Sequence, residues 1–185
     1  MRQLVLQMGV TMDGYVAGPG GEGDWRLPPE HPDVRAWKVA SLRKVDTHIM
    51  GRITYEQMAA HWPNATGDYA HFMNSLPKVA FSKTLPSADW PDTRIARGDL
   101  ASEIESLKTE SGGGIMAHGG AAFVQSLSNL GLIDEYRIVV LPVVLGNGLP
   151  LFKDLPKPLR VELMESKAFP DGTLINVYQP VRKQT

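Results

Sequence analysis

Short β-type segments alternate with amphipathic helical segments over about the first two thirds of the chain. Residues 3–10 show the alternating apolar pattern of a strand, and the runs 45–50, 78–82 and 115–118 are typical of short buried strands. Strands that alternate with helices favour a mainly parallel sheet that carries helices on its faces. The order of segments therefore predicts an α/β fold.

The helical segments are predicted at 32–43, 55–60, 66–75, 100–110 and 121–130. Asp99 is a suitable N-cap for the fourth of them, because its carboxylate can accept from the first free N–H groups. Thr54 and Gln57 have the spacing of a capping box and predict the start of the second helix. Gly131 is expected to end the last helix.

The C-terminal part of the chain departs from this alternation. The β-branched run 138–145 is suited to a central strand. Segments 160–168 and 173–180 flank a Pro-Asp-Gly turn at 170–172, which indicates a β-hairpin. We therefore expect one domain, residues 1–185, with a mixed, mainly parallel sheet that ends in an antiparallel hairpin.

Composition removes several classes of function. The chain has no cysteine, which excludes disulfides, thiolate nucleophiles and cysteine-based zinc sites, and its five histidines lack metal-ligand spacing. A net charge of −1 gives no basic excess for binding nucleic acid. No apolar run has the length of a membrane span or of a signal peptide. We expect a cytoplasmic protein that acts on a small molecule, with no metal, nucleic-acid or membrane partner.

Residues 11–31 form an unusually long, turn-rich connection with five glycines and three prolines. Residues 18–23 match G-x-G-x-x-G, but a dinucleotide fingerprint needs a strand directly before it and a helix opening from it. Neither is predicted here. A connection of this length usually has a function, and we interpret it as a lid over a binding site.

Two strand-to-helix junctions have residues that suit phosphate. The first contains Gly51, Arg52 and Thr54, and the second contains Gly119, Gly120 and Ala121. A helix N-terminus offers unpaired N–H groups and the positive end of a dipole, and glycine lets a phosphate come close. Arg52 adds a permanent positive charge. Tight turns alone would also explain the glycines, but two such junctions in one domain favour a nucleotide diphosphate.

A third strand end, Ser82-Lys83-Thr84, groups two hydroxyls with a cation. By itself this sequence is typical of a solvated loop. Beside two phosphate-binding junctions it suits a further phosphate, such as the one that NADPH carries on its ribose.

Six segments of the chain carry motifs that occur together in the same order. Residues 10–18 (VTMDGYVAG) resemble an S-L-D-G-x-I-A motif, and residues 49–55 (IMGRITY) resemble M-G-R-x-T-[WY]. Residues 82–84 match S-[RK]-T, residues 119–121 match G-G-A, and the segments 132–138 and 142–152 match two further motifs. Over about residues 3–180 the chain thus resembles the bifunctional deaminase–reductase C-terminal domain family of riboflavin biosynthesis, within the dihydrofolate-reductase-like superfamily, and it shares the second motif with dihydrofolate reductases.

This resemblance implies a three-layer α/β/α sandwich that binds NADPH, usually as a homodimer, and reduces a small heterocycle, as does 5-amino-6-(5-phosphoribosylamino)uracil reductase. The residues at the two helix starts would hold the cofactor phosphates, and Ser82 and Lys83 would meet the 2′-phosphate. Gly9, Val10 and Val16 would lie near the nicotinamide. Asp13 is the candidate catalytic residue, either as a proton donor or as a hydrogen-bond acceptor for the substrate. Alternatively, Asp13 could only stabilise the turn that it forms with Gly14.

Two alternative functions remain open. The first is dihydrofolate reduction, for which the superfamily has an acidic residue on the helix after a W-x-L-P motif. This chain has that motif at residues 25–28, but Val34 or Arg35 at the matching helical position. The second is a module that binds NADPH without turnover. NADPH oxidation with candidate substrates would distinguish a reductase from such a module.

Overall fold

The computed structural model describes residues 1–23, 25 and 30–181. The strands are β1 (Leu4–Thr11), β2 (Tyr15–Ala17), β3 (Val45–Gly51), β4 (Lys78–Phe81), β5 (Thr93–Ala96), β6 (Gly114–Ala117), β7 (Glu135–Leu141), β8 (Leu149–Pro150), β9 (Val161–Ala168) and β10 (Leu174–Pro180). The helices are α1 (Pro32–Leu42), α2 (Arg52–His61), α3 (Asp68–Ser75), α4 (Leu100–Thr109) and α5 (Ala121–Asn129). None of the described helices is long and apolar enough to cross a membrane.

Eight strands form one sheet in the order β5-β4-β3-β6-β1-β7-β10-β9. The pairs from β5 to β7 are parallel, whereas β10 is antiparallel to both β7 and β9. This confirms the predicted mixed sheet with a terminal hairpin. The strand β1 lies near its centre, which explains why β1 is buried along almost its whole length.

Helices cover both faces of the sheet, as a three-layer sandwich requires. The alternation of β1 directs Leu4 and Leu6 to one face, where they join the cluster that includes Ile104 of α4. Val5 points to the opposite face and packs with Leu42 of α1. Helix α5 joins the first face, and α2 and α3 join the second.

Several predicted boundaries are wrong, including the start of β7, which is Glu135 and not residue 138. Helix α2 begins at Arg52 and not at residue 55, and its N-cap is Gly51, so Thr54 does not cap it. Strand β7 ends at Leu141 and does not continue to residue 145, because Pro142 cannot donate to a sheet and the chain turns there. Asp99 does cap α4, since its carboxylate accepts from the Ser102 N–H.

The short pair β2–β8 was not predicted from the sequence. Strand β2 pairs antiparallel with β8, and the Leu151 N–H donates to the Gly14 carbonyl at 3.0 Å. Gln125 of α5 donates to the Pro150 carbonyl at 2.7 Å. Residues 11–17 are therefore attached to the segment after β7. The other part of the predicted lid includes residues 24 and 26–29, which lie outside the described residues, as does most of the W-x-L-P motif.

Candidate functional site

The three predicted junctions meet at one edge of the sheet. Strand β3 is flanked by β4 and β6, and all three run parallel. Their carboxyl ends lead into Gly51, Ser82 and Gly119 respectively. In open α/β sheets, ligands bind beyond the carboxyl ends of the strands. The structure thus brings together residues that are far apart in the sequence.

The starts of α2 and α5 differ from those of the other described α-helices. Their N-caps are Gly51 and Gly120, neither of which offers a capping side chain, and no acidic residue lies in either first turn. By contrast, α1, α3 and α4 each have an acidic residue in the first turn. The first turns of α2 and α5 therefore carry no negative charge, which suits an anionic ligand. One turn further along α2, Glu56 forms an exposed ion pair with Arg52 at 3.0 Å, so a phosphate would compete with Glu56 for this guanidinium.

Thr54 connects the two junctions directly. Its side chain is 7% exposed, and its Oγ1 donates to the Gly119 carbonyl at 2.6 Å. This bond joins the first turn of α2 to the loop that precedes α5. Thr54 was predicted to hold a cofactor phosphate. The structure shows that its hydroxyl hydrogen is already engaged in fixing the position of the other junction.

The glycines at these junctions are packed too closely for a larger residue. A Cβ on Gly120 would lie 2.8 Å from Thr54 Oγ1, and Gly120 has a positive φ of 88°. A Cβ on Gly119 would lie 2.8 Å from the Met8 methyl carbon, and one on Gly51 would lie 3.1 Å from Phe123. Gly120 is the most constrained of the three, because a positive φ and a close contact coincide there, whereas the neighbours of Gly119 and Gly51 are side-chain atoms.

The end of β4 forms a turn stabilised by its own hydroxyl. Ser82 Oγ accepts from the N–H groups of Thr84 and Leu85 at 3.1 and 2.9 Å. Lys83 is exposed. Arg97, which follows β5, donates to the carbonyls of Lys83 and Leu85 at 3.2 and 2.6 Å. Arg97 was missed in the sequence because only the β4–β5 pairing places it beside Lys83.

The end of β1 lies next to β6 at the same edge. Gly9 is half-buried, and Val10 and Val16 are buried. Val10, Val16 and Met8 belong to one hydrophobic cluster. Since Met8 is close to Gly119, this buried cluster adjoins the second junction. Gly9 is the half-buried member of the group and has no side chain, so it is where a ligand ring could approach the strand.

Asp13 lies at the surface, where it joins two loops. Its carboxylate accepts from the Thr11 hydroxyl at 2.6 Å and from the N–H groups of Leu145 and Gly146 at 3.3 and 2.8 Å. The Thr11 hydrogen bond, with help from the backbone donors, holds the pKa of Asp13 below its usual value. The carboxylate is therefore ionised at neutral pH, which favours an acceptor role over that of a proton donor.

A buried histidine pair lies beside the second junction. His118 Nε2 is 2.8 Å from His48 Nδ1, and His48 Nε2 is 3.2 Å from the Phe72 carbonyl oxygen. Because a carbonyl only accepts, His48 Nε2 carries the hydrogen, and His118 must then donate through its own Nε2. Burial lowers the pKa of His48 to about 4, and it lowers that of His118 well below its usual value. Both rings are neutral at pH 7.

The sequence did not reveal this pair, because the two histidines are 70 residues apart and meet only through the β3–β6 register. Among the described residues, no group of three or more histidine, aspartate or glutamate side chains is arranged to hold a metal ion.

The fold and this edge of the sheet define the class of protein. It is an α/β sandwich in which two helices begin without a capping side chain and without an acidic residue in the first turn, an arrangement that suits the phosphates of a nucleotide. A comparison with protein families then identifies the family. The model of the RibD C-terminal domain matches residues 2–175, and the chain belongs to that family.

Similar proteins agree with this assignment. The uncharacterized protein YyaP of Bacillus subtilis is 30% identical over 182 residues, which cover 96% of this chain and 94% of that protein. The crystal structure of a putative riboflavin biosynthesis protein from Shewanella sp. PV-4 aligns with a TM-score of 0.80 and 26% identity, over 98% of this chain and 100% of that one. A dihydrofolate reductase from Enterococcus faecalis, complexed with NADP(H), aligns with a TM-score of 0.64 and 12% identity, over 96% of both chains. That last likeness concerns the fold, and it confirms the dihydrofolate-reductase-like architecture.

Proposed function

We propose that this protein is an NADPH-dependent reductase of a small heterocyclic substrate, with activity resembling that of 5-amino-6-(5-phosphoribosylamino)uracil reductase. The observation that carries the proposal is the pair of uncapped, acid-free helix starts at Gly51 and Gly120, joined by Thr54. A diphosphate between them would receive N–H groups from both helices. Membership of a family of reductase domains and the NADP(H) bound to the dihydrofolate reductase of the same fold support this choice of cofactor.

The predicted cofactor residues have separate tasks in this proposal. Gly51, Arg52, Gly119, Gly120 and Ala121 bind the phosphates, and Thr54 positions the two helix starts. Ser82 and Lys83, together with Arg97, meet the 2′-phosphate. Gly9, Val10 and Val16 lie on the side of the nicotinamide. When bound, NADPH would supply the hydride, and the protein would orient the cofactor and the substrate.

Asp13 is proposed to hold the substrate as a hydrogen-bond acceptor. Its carboxylate already fixes the N–H groups of Leu145 and Gly146, so it orients that loop as well as presenting negative charge. The lowered pKa of Asp13 makes proton donation at neutral pH unfavourable. The proton that accompanies hydride transfer must therefore come from another donor, such as water.

The test has two parts. NADPH affinity is measured by calorimetry for the wild type and for Arg52→Gln, with Arg160→Gln as a control that removes an exposed arginine before the distant β9. We expect Arg52→Gln to weaken binding about tenfold or more, because a charge-assisted contact is lost, and Arg160→Gln to have no effect. The loss of NADPH absorbance is then followed with candidate heterocycles. Equal affinity for all three proteins would contradict the cofactor site, and tight binding without oxidation would indicate a module that only binds NADPH.

We also propose that the protein is a homodimer. Strand β9 is an edge strand whose eight residues are all exposed, and it carries the apolar side chains Leu163 and Met164. An exposed apolar edge of this length favours pairing with another chain. Sedimentation that gives a 20.3 kDa species at micromolar concentration would contradict the proposal.

A further inference from the structure

Residues 143–151, which follow β7, contact both the proposed substrate residue and the helix that begins at the second phosphate-binding junction. Near the start of this segment, two backbone N–H groups donate to the Asp13 carboxylate. Near its end, the Pro150 carbonyl accepts from Gln125 Nε2 of α5 at 2.7 Å. The segment therefore connects α5 with Asp13.

The second half of this segment packs tightly against β2. Strand β8 pairs antiparallel with β2, and the Leu151 N–H donates to the Gly14 carbonyl at 3.0 Å. Gly148 approaches β2 so closely that a Cβ on it would collide with the Ala17 carbonyl oxygen. Because Gly14 follows Asp13 directly, a shift of β8 displaces Gly14 and, with it, Asp13.

Gln125 makes the contact that aligns the segment on α5. Leu151 and Val124 of α5 belong to one buried cluster, but apolar contacts are non-directional and do not specify one alignment. A hydrogen bond weakens steeply with distance and angle, so the amide of Gln125 specifies where Pro150 lies. Gln125 lies five residues, about 7.5 Å along the helix axis, after the N-cap Gly120.

The start of α5 is the part of this helix that a ligand can change. It has no capping side chain, and no acidic residue lies in its first turn. The unpaired N–H groups of such a helix start can fray, and a bound anion orders them. Because α5 has only nine residues, ordering its first turn also restricts the turn that contains Gln125.

We propose that Gln125 is a positioning residue that couples the phosphate-binding edge to the substrate-holding carboxylate. A diphosphate at the start of α5 fixes the helix, Gln125 fixes Pro150, and the β2–β8 pair then holds Asp13 in one orientation. The protein thus binds its substrate better once the cofactor is present. By linkage, a substrate held at Asp13 tightens cofactor binding by the same factor. This inference rests on the proposed function for the identity of the two ligands.

The experiment uses ADP-ribose, which has the diphosphate of the cofactor but no nicotinamide that could contact the Asp13 loop itself. Amide hydrogen exchange of the full chain is measured by NMR with and without this ligand. The reporters are the N–H groups of Gly146 and Leu151, which exchange when the segment opens locally. The control is the Gly114 N–H, which donates to the Lys44 carbonyl at the amino end of β6.

Three variants separate the hydrogen bond of Gln125 from other effects on α5. Gln125→Met removes the donor with little change in side-chain size, and Gln125→Lys restores a donor to the Pro150 carbonyl. Ser126→Ala is the matched control, because the exposed Ser126 hydroxyl donates to the Ala122 carbonyl within the same helix. Circular dichroism verifies that each variant is folded.

ADP-ribose should slow the exchange of the Gly146 and Leu151 amides in the wild type about fivefold and leave Gly114 unchanged. Without ligand, both reporter amides of Gln125→Met should exchange about fivefold faster than in the wild type, because one hydrogen bond is lost. ADP-ribose should still bind this variant but should no longer slow the two amides. Gln125→Lys should restore both effects, and Ser126→Ala should match the wild type.

The proposal is overturned if ADP-ribose binds the wild type without slowing the two amides, or if it still slows them in Gln125→Met. It is also overturned if the ligand-free rates of Gln125→Met equal those of the wild type, or if Ser126→Ala behaves like Gln125→Met. In each of these cases ADP-ribose binding leaves the cofactor site standing. A wild type that does not bind ADP-ribose would refute the nucleotide site itself, and the coupling with it.

Discussion

Replacing Gly120 with alanine should destabilise the protein by about 2–5 kcal/mol, because two separate costs add at this residue. A left-handed backbone with a Cβ costs about 1–2 kcal/mol, and Gly120 has a φ of 88°. The new Cβ would also lie 2.8 Å from Thr54 Oγ1, and overpacking of this kind typically costs about 1–3 kcal/mol. Thr54 cannot easily move away, since its hydroxyl is bonded to the Gly119 carbonyl.

The two costs can be separated by comparing variants in urea unfolding followed by circular dichroism. Gly131→Ala is the matched control, because Gly131 also has a positive φ, 66°, but nothing lies within 4 Å of its added Cβ. It should lose about 1–2 kcal/mol, the backbone cost alone. Thr54→Ala should lose about 1–3 kcal/mol through the missing hydrogen bond. The double variant Gly120→Ala/Thr54→Ala lacks the clash and should lose at least about 1 kcal/mol less than the sum of the two single variants.

The cofactor affinity gives a second measurement on the same proteins. Gly120→Ala should weaken NADPH binding in folded protein because the added methyl displaces the start of α5, whereas Gly131→Ala should bind normally. Additivity within about 0.5 kcal/mol between Gly120→Ala and Thr54→Ala would refute the contact between them. Equal destabilisation by Gly120→Ala and Gly131→Ala would show that only backbone strain acts at this junction.

Lys83→Ala should weaken NADPH binding by about 1–3 kcal/mol and leave NADH binding unchanged, as measured by calorimetry; equal losses would remove the 2′-phosphate assignment. Asp13→Asn should keep NADPH binding and reduce turnover about tenfold or more, because a charged hydrogen-bond acceptor for the substrate is lost, whereas unchanged turnover would leave Asp13 with only its loop contacts. Burial lowers the pKa values of His48 and His118, so the two imidazoles bind protons more readily in the unfolded state than in the folded one. The protein should therefore be most stable above about pH 6.5 and should lose stability as the pH falls towards about 4. The free energy of unfolding, measured in urea at several pH values, should change by up to about 1.4 kcal/mol per pH unit for each ring. Replacing the exposed His71 with glutamine should leave this pH dependence unchanged.

Most of the fold follows from local patterns. Apolar residues alternate along β1 and recur every three to four residues along α4. These two periods are typical of a strand and of a helix, so the type and order of both elements could be predicted. The pair β2–β8 could not, because two residues of β8 are too few for any periodicity. The extension of β7 to residue 145 was wrong because β-branched residues continue after Pro142, although the chain leaves the sheet there.

The candidate site was predictable where glycine, arginine and hydroxyl residues follow a strand directly, as at Gly51 and Gly119. It was not predictable where a contact depends on long-range register. Thr54 has the spacing of a capping box, but its hydroxyl donates to a carbonyl 65 residues away. His48 and His118 likewise have no local signal, because His48 lies within β3 and His118 directly follows β6, and only the sheet makes them partners.

The position of β1 has a consequence for how the chain folds during synthesis. This strand is synthesised before the other strands of the sheet, yet its neighbours are β6 and β7: Leu4 pairs with Ile115, and Val5 pairs with Glu135. Contacts of such large sequence separation slow folding, because the loop between the partners must be ordered before the pairing stabilises it. The nascent chain must therefore keep the apolar β1 unpaired until β6 has left the ribosome, and both sides of β1 are covered only once β7 has followed.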